Sequence, residues 1–452
     1  VMECTRPDCM GCYEQSVSNT PNLEALAERG VIFRNAISAG AWTTPSIGSM
    51  FTGLYPSKHR LLAGSQSGLP QGVRTLPEQL QASGYRTFAI LSTDWLTDYK
   101  DFFRGFDHYV KVQDLPASLP ALLRYPTVLF SDRVYVQALI WNLLNGHDKR
   151  TYYITLAFKR WLDQLSGDRP FFCFTHFQIP HAPYNPPRGF RPSLDGHPYS
   201  HFERRLADRA IGWQYMAEAI DLDQTVFDYY KALYTAEIGY LDSRIGEVVA
   251  MLRRRGLLEN TVIIVTGDHG ENLGDHGLMF HNFSVHESIL HVPLIMAGPG
   301  LHQTPIEIKS PVSQTDYSPT ILEWVGIAKE NDLPWIQGKS LMPLLCGKSQ
   351  DGDQLHRHVF AELERPQSVL DRLRAARADV DVSVYDKAMK VARGHRWKYV
   401  VESDGSEYLY DIQMDHAERR NLKNDLPDRV LELRREVELT LGSFNLEDPT
   451  LI

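Results

Sequence analysis

The segment GDHGENLGDHG, residues 267–277, holds Asp268 and His269 side by side and repeats the Asp-His-Gly triplet at residues 275–277. A neighbouring carboxylate and imidazole on one turn offer a divalent cation one oxygen and one nitrogen ligand. A second segment, AWTTPSIGSMFTG at residues 41–53, leads small hydroxyl residues into Pro45 and so reads as a helix start. Free N–H groups and the helix dipole favour an anion there, and Thr43 becomes a nucleophile where a metal lowers the pKa of its hydroxyl. In HFQIPHAPYNPP, His176 and His181 lie at and beyond the end of the run PFFCFTH, and Pro180, Pro183, Pro186 and Pro187 stiffen the loop. His181 is thereby offered to a substrate as a donor or proton shuttle. Each segment alone has a plainer reading, as a polar loop, a helix cap or a buried histidine; together they describe one metal-assisted site.

These residues need strands and helices to hold them. Short apolar runs alternate with amphipathic stretches, the pattern of strands feeding crossover helices around a parallel-rich sheet. TPNLEALAERG predicts a helix with Leu23 and Leu26 on one face and Gly30 as its stop, followed by the strand VIFRNAI. LPEQLQASGYRTFAILST repeats the unit, with Gly84 closing the helix before a strand carrying Phe88, Ile90 and Leu91. A longer helix is predicted from near Val226 to about Arg255, with Leu233, Ile238, Leu241, Ile245 and Leu252 on one face and Gly256 as its stop. TVIIV then reads as a strand buried on both faces, and it runs directly into the Asp-His turn, at the carboxyl end where open α/β sheets bind ligands. Residues 114–148 fit no such unit and read as an insertion or cap. From residue 352 the pattern shifts to charged helical turns and short strands such as KYVV and EYLYDI. The expected division is a catalytic α/β domain at 1–351 and a smaller α+β subdomain at 352–452, whose last helix, PDRVLELRREVELTLG, packs on its sheet.

Composition excludes several classes. With 43% hydrophobic and 23% charged residues in 452, the chain is an ordinary globular one. The formal charge of −9 leaves no global basic field for a nucleic-acid backbone. No apolar run is long enough for a membrane span, since VYVQALIWNLL is interrupted by Gln137 and Asn142. Five cysteines do not indicate a disulfide framework. Cys4, Cys9 and Cys12 have the spacing of plant-type iron–sulfur ligands, but the fourth would have to be Cys173 or Cys346 and Cys4 reads as part of a strand, which disfavours a cluster. VMECTRPDC begins as a strand interior with neither a charged n-region nor a cleavage site, which leaves localisation open.

The ordered set RPDCMGCY, TPNLEALAERGVIFRNAIS, TPSIGSMFTGLYPSKH, HAPYNPP, TGDHGENLGDHG, HVPLIMAGPG, TDYSPTILEWVGI, GKSLMPLL, HRWKYV and EYLYDIQMDHAE resembles the sulfatase-like branch of the alkaline phosphatase superfamily nearly end to end. The resemblance implies a large, mostly parallel central sheet sandwiched by helices, with a smaller C-terminal subdomain. In family sulfatases the position of Thr43 is a Cys or Ser matured to formylglycine, followed by a Pro and an Arg at fixed offsets. Here Pro45 is kept, Ile47 replaces the Arg, and Thr43 cannot form the aldehyde. The family's paired acidic ligands become Glu3 and Cys4.

Glu3, Thr43, Asp268 and His269 resemble the metal and nucleophile set of lipid head-group phosphotransferases, which use a threonine nucleophile. The resemblance implies one divalent metal held by Glu3, Asp268 and His269, with Thr43 as a fourth or nearby ligand. Two carboxylates and one imidazole suit Zn²⁺ or Mn²⁺ better than Ca²⁺. His181 matches the substrate-contacting His of the family's HxPY-type motif and His281 lies where sulfatases place a Lys, with Lys58 and His276 as further candidates. A threonine ester has no hemiacetal to collapse and must be cleaved by a second attack at sulfur or phosphorus. The expected function is therefore metal-dependent hydrolysis of phosphate mono- or diesters through Thr43. The alternatives are a sulfuric ester hydrolase without formylglycine, a phosphoethanolamine- or glycerophosphate-type phosphotransferase, and a non-catalytic sulfatase-fold binding protein. The expected partner is a small-molecule, lipid or glycan ester, with no nucleic acid; a homo-oligomer is left open.

Overall fold

The computed structural model describes residues 1–62, 68–92, 96, 101–111, 133–146, 148–193, 209–301, 305–347 and 356–444. The elements used below begin with α1 (Pro21–Ala27), β1 (Gly30–Ile37), α2 (Thr43–Thr52), α3 (Leu76–Ala82), β2 (Arg86–Leu91), β3 (His108–Lys111), α4 (Arg133–Asn145), α5 (Thr151–Asp163) and β4 (Phe171–His176). They continue with α6 (Arg209–Met216), α7 (Gln224–Arg254), β5 (Ile263–Thr266), β6 (Asn272–Leu273), β7 (Met279–Phe280), β8 (His291–Ala297), β9 (Ile306–Ile308), β10 (Val312–Ser313) and α8 (Tyr317–Trp324). The C-terminal part has β11 (Val359–Leu363), α9 (Gln367–Ala376), β12 (Met389–Arg393), β13 (Trp397–Glu402), β14 (Glu407–Asp411) and α10 (Pro427–Leu441).

Because successive strand side chains point to opposite faces, the apolar strands feed two cores at once. Ile32, Ile90 and Ile295 join Leu23 and Leu26 of α1, Ile154 and Phe158 of α5, and Leu233, Ile238 and Leu241 of α7. Val31, Phe33, Ala89, Leu91, Leu294 and Met296 join Ile47, Met50 and Phe51 of α2 on the other side. The sheet is thus covered by helices on both faces, as expected. Helix α7 matches its predicted apolar face: Leu233, Ile238, Leu241, Ile245 and Leu252 are all buried. It opens with the Asp223 carboxylate accepting from the Val226 N–H and stops where Gly256 takes a positive φ.

The expectation of one large, mostly parallel sheet is corrected. A five-stranded sheet runs β10-β1-β8-β5, with β9 also on β1, and β8 is antiparallel to both β1 and β5. The physical reason is connectivity. β8 returns beside β5 after the β6-β7 hairpin, and an antiparallel return needs no helical crossover. β9 and β10 are parallel to β1, so this sheet is mixed, and a separate three-stranded sheet, β3-β2-β4, is parallel throughout. Met2 joins the two sheets by parallel bridges to Phe177 and Gly267, so the opening residues form a single bridge and then a turn instead of the strand predicted through Cys4. Gly30 is likewise no helix stop. α1 ends at Ala27, and Gly30 starts β1, where a Cβ would sit 2.2 Å from the Met296 carbonyl oxygen.

The C-terminal subdomain is a four-stranded antiparallel meander, β11-β12-β13-β14. Val430, Leu433, Val437 and Leu441 of α10 pack on Ala392, Tyr399 and Leu409, as the sequence predicts. The predicted break at 351/352 and most of the predicted 114–148 insertion lie outside the described residues, which include α4 of that insertion. No helix among the described residues is long and apolar enough to cross a membrane.

The subdomain is fastened to the loop before β8 by buried charges. Lys398 on β13 reaches Glu287 at 3.2 Å and Glu418 at 2.7 Å, and Arg393 on β12 reaches Glu287 at 2.9 Å. Burial pushes the Glu287 carboxyl up, but Arg393 and Lys398 outweigh it and hold it below the usual carboxylate range. Its contribution to stability is therefore complete above the unfolded carboxyl pKa of about 4.3 and is lost as the pH falls further. Lys398→Met leaves the buried Glu418 without its lysine while Glu287 keeps Arg393, so unfolding free energy from urea titration at neutral pH should drop by about 3 kcal/mol. A loss under about 1 kcal/mol would show that the network carries little stability.

Candidate metal centre and active site

Three chain segments meet at the carboxyl ends of β4 and β5. The Met2 N–H donates to the Thr266 carbonyl and the Glu3 N–H to the Phe177 carbonyl, both at 2.9 Å, which plants Glu3 between the two strand ends. Cys4 then turns with φ +56, a left-handed conformation unusual for a side-chain-bearing residue. The Asp268 carboxylate accepts from the Cys4 N–H at 2.9 Å and the Tyr234 hydroxyl donates to its carbonyl, which together hold it there. Gly270, after His269, passes so close to β8's approach segment that a Cβ would lie 2.0 Å from the Ser288 carbonyl oxygen. Thr43 arrives on the first turn of α2, whose preceding residue Trp42 makes no side-chain cap. Ser38 and Gln314 each donate to the Asp268 carbonyl at 2.6 Å and fasten this junction.

The four residues expected to bind metal and act as nucleophile do come together. Thr43 Oγ1 lies 3.4 Å from Glu3 Oε1 and 3.2 Å from His269 Nε2, and Asp268 Oδ2 is 3.5 Å from the same nitrogen. His269 Nδ1 is 2.9 Å from the Gly270 carbonyl, to which it donates, leaving a lone pair on Nε2. Acceptor therefore faces acceptor. Glu3 Oε2 and Asp268 Oδ2 are buried with no hydrogen-bond partner, an arrangement that is costly unless a cation sits among them. Burial and the neighbouring Asp268 raise the Glu3 carboxyl far above its usual range. Burial also pushes Asp268 up, but the imidazoles of His269 and His176 and the Cys4 N–H outweigh it and hold Asp268 low. The donor set fits a divalent transition ion: carboxylate oxygens, an imidazole nitrogen and an adjacent hydroxyl.

Beside this set, ligand atoms of Cys4, His181 and His281 all lie within 4.8 Å of one another, a second compact grouping able to hold a metal. His181 Nδ1 donates to the Ala182 carbonyl at 2.7 Å, which turns Nε2 toward Glu3 Oε1 at 3.9 Å. Burial lowers the His181 pKa, and the neighbouring Arg209 and His281 lower it further. His281 Nδ1 lies 2.9 Å from Glu271 Oε1 and 3.6 Å from Cys4 Sγ. The His181 loop is braced from behind: Lys149 donates to the His181 carbonyl and pairs with Glu237 of α7 at 2.7 Å. Glu237 also accepts from the Asn185 N–H.

Sequence reasoning located Glu3, Thr43, His181, Asp268, His269 and His281, and the structure gathers all six. It missed Cys4 as a member of the site, having read it as strand; the signal was its place at one of the family's paired acidic positions. It missed Glu271, which lies directly behind His281 although nothing in their local sequence connects them, and it did not link His176 to Asp268, 3.8 Å away. Lys58 is exposed on a short helical turn and takes no part. His276 lies elsewhere, its ring stacked on His286 at 3.6 Å, in a second possible metal group with Glu418, to which Lys398 is already paired. All five cysteines are free, with Cys9, Cys12, Cys173 and Cys346 outside the centre.

The chain is similar to known proteins over most of its length. The family model described as Sulfatase matches residues 1–327, and that described as N-sulphoglucosamine sulphohydrolase, C-terminal, matches residues 274–441. A choline-sulfatase of Rhizobium meliloti (strain 1021) is 28% identical over 433 residues, spanning 89% of this chain and 77% of its own. A multifunctional alkaline phosphatase superfamily protein of Trinickia caryophylli is 26% identical over 461 residues, spanning 90% and 86%. In fold, the chain is similar to the phosphonate monoester hydrolase of Agrobacterium radiobacter, with a TM-score of 0.71 at 23% identity over 97% of this chain and 94% of that one. With the Sulfatase match running through both sheets and every residue of the centre, the chain belongs to the sulfatase family, among the ester hydrolases of the alkaline phosphatase superfamily.

Proposed function

We propose that the chain is a metal-dependent sulfuric ester hydrolase in which Thr43 stands in the place of formylglycine. The observation that carries this reading is Thr43 Oγ1 at a helix start, between Glu3 Oε1 and His269 Nε2. Membership of the sulfatase family supports a sulfate ester ahead of the phosphate mono- or diester that Thr43 alone suggests. Phosphate or phosphonate ester hydrolysis is the second reading, favoured by the threonine, which has no aldehyde route for releasing sulfate.

Glu3, Asp268 and His269, with Thr43 beside them, would hold the divalent ion, which when bound supplies charge neutralisation of the ester oxygens and a lowered pKa at the Thr43 hydroxyl. The Thr43 proton leaves toward Glu3 Oε1, 3.4 Å away. The Thr43 oxygen bonds to sulfur as the sulfur–oxygen bond to the alcohol breaks. The first-turn N–H groups of α2 face the anionic group that is transferred. The departing oxygen takes its proton from His281, whose ring is oriented by the Glu271 carboxylate 2.9 Å from Nδ1, whereas His181 is backed only by a carbonyl. Water then attacks sulfur while giving a proton to the now neutral His281, the Thr43 oxygen–sulfur bond breaks, and Glu3 returns its proton to the Thr43 oxygen.

Thr43→Ala should abolish turnover by several powers of ten, each tenfold being about 1.4 kcal/mol of barrier, with metal content by elemental analysis and thermal unfolding unchanged. A near-parental rate would make water the nucleophile. The ester class is read from kcat/KM for phenyl sulfate, phenyl phosphate and a phenyl phosphodiester on metal-replete enzyme. Sulfate fastest upholds the first reading, and either phosphorus ester fastest transfers the assignment to the second. His281→Gln should cost about 10²–10⁴ on an alkyl ester and far less on a para-nitrophenyl ester, whose leaving group needs no proton. Equal losses on both would remove His281 from proton donation.

A further inference from the structure

Next to the centre lies a positive charge that takes no part in the chemistry at Thr43. Arg209, the first residue of α6, rides over the Phe280 ring with its guanidinium carbon 5.5 Å from the ring centroid. Phe280 is the residue before His281 in the chain. The Arg209 Nε is buried and makes no hydrogen bond. Farther out, Arg372 on α9 rides over Trp213 in the same way at 5.7 Å, and the Trp213 and Phe280 rings are 4.7 Å apart. The result is a strip of two guanidinium groups on two aromatic rings, running from Phe280 to the exposed Arg372 on α9.

Neither arginine has a carboxylate partner among the described residues. The nearest acid in sequence to Arg372, Asp371, is already paired with Arg374 at 2.9 Å. Burial lowers the Arg372 pKa and the positive charge of Arg209 lowers it further. A buried Arg209 N–H with no acceptor, within electrostatic reach of a second like charge, opposes folding. The aromatic faces offset only part of that cost. A guanidinium is built to receive a carboxylate, sulfate or phosphate through paired N–H donors.

Resting on the reading of the centre as an ester hydrolase, we propose that Arg209 and Arg372 form a second anion subsite on the leaving-group side, so that the substrate carries a negatively charged group besides the one transferred. The strip reaches the centre through Arg209, whose charge acts on His181 and Cys4, the two residues grouped with His281, the proton donor to the leaving group. The substrate is therefore an ester of a polyanionic alcohol, its second charge a carboxylate, sulfate or phosphate.

The test separates binding from turnover. Benzenesulfonate and meta-benzenedisulfonate, which the enzyme cannot hydrolyse, are titrated by calorimetry into metal-replete wild type, Arg209→Gln and Arg372→Gln. The disulfonate should bind wild type about tenfold tighter or more, since its second sulfonate accepts a charge-assisted hydrogen bond, and each variant should lose most of that advantage. In turnover, kcat/KM is compared for para-nitrophenyl sulfate and the same ester bearing a ring carboxylate. Arg372→Gln should leave the plain ester within about twofold of wild type and lower the carboxylated one about tenfold. Equal affinity of wild type for the two sulfonates, or equal losses on both esters, overturns the subsite. Arginine-dependent disulfonate binding with no hydrolysis of either ester would uphold the subsite and reject the sulfuric ester reading.

Discussion

The centre is organised around buried carboxylate oxygens that no hydrogen-bond donor meets. Glu3 Oε2 and Asp268 Oδ2 are buried and unpartnered, and the His269 Nε2 lone pair lies 3.5 Å from Asp268 Oδ2. In a low-dielectric interior such an arrangement is unfavourable in proportion to its burial, and a cation converts each repulsion into a bond. Everything else about the site follows from having to hold these groups together in the absence of mutual attraction. Hence the fastening is done by the backbone: Met2 and Glu3 N–H groups on two strand-end carbonyls, the Cys4 N–H on Asp268, and the Ser38 and Gln314 side chains on the Asp268 carbonyl.

That division of labour explains why the strand ends matter more than the strand directions. β8 runs against its neighbours, yet β5 still delivers Asp268 and His269 at its carboxyl end and β4 still delivers His176. Met2, a single bridging residue, places Glu3 in the gap between them. The C-terminal subdomain touches the site indirectly. Lys398 and Arg393 neutralise Glu287, just ahead of the short turn that leads into β8, and so steady the far side of the loop that carries Glu271 and His281.

Much of the centre was legible because its residues sit in local contexts with strong meaning. Asp268 and His269 follow an apolar run, Thr43 precedes Pro45 at a helix start, and His181 stands among prolines. What was illegible depends on partners distant in sequence. Glu271 has meaning only through His281, and Arg209 only through Phe280 beneath it. Cys4 was misread because an apolar opening suggests extended chain, while its left-handed turn is imposed by Asp268 and Tyr234, more than two hundred residues away. Gly30 was misread for a similar reason. A glycine after a helix is usually its stop, but here the missing Cβ makes room for the β8 backbone. The direction of β8 escaped because apolar alternation carries no sign of strand polarity.

Ile47 shows how the threonine site is supported by packing. It is fully buried on α2 among Val31, Phe33, Met50 and Phe51, so its side chain belongs to the core below the sheet. A charged residue there would have to leave that core or carry an unpaired charge into it. With position 47 committed to packing, the α2 start offers an anion only its N–H groups and the Thr43 hydroxyl. The positive charge that a bound ester requires must then come from outside the helix, from the ion that Glu3 and Asp268 demand and from neighbouring cations. Lys149 is no candidate, since Glu237 and the His181 carbonyl already claim its ammonium. A neutral nucleophile helix and the uncommitted guanidinium group of Arg209, whose charge acts on His181, are therefore two sides of the same distribution of charge.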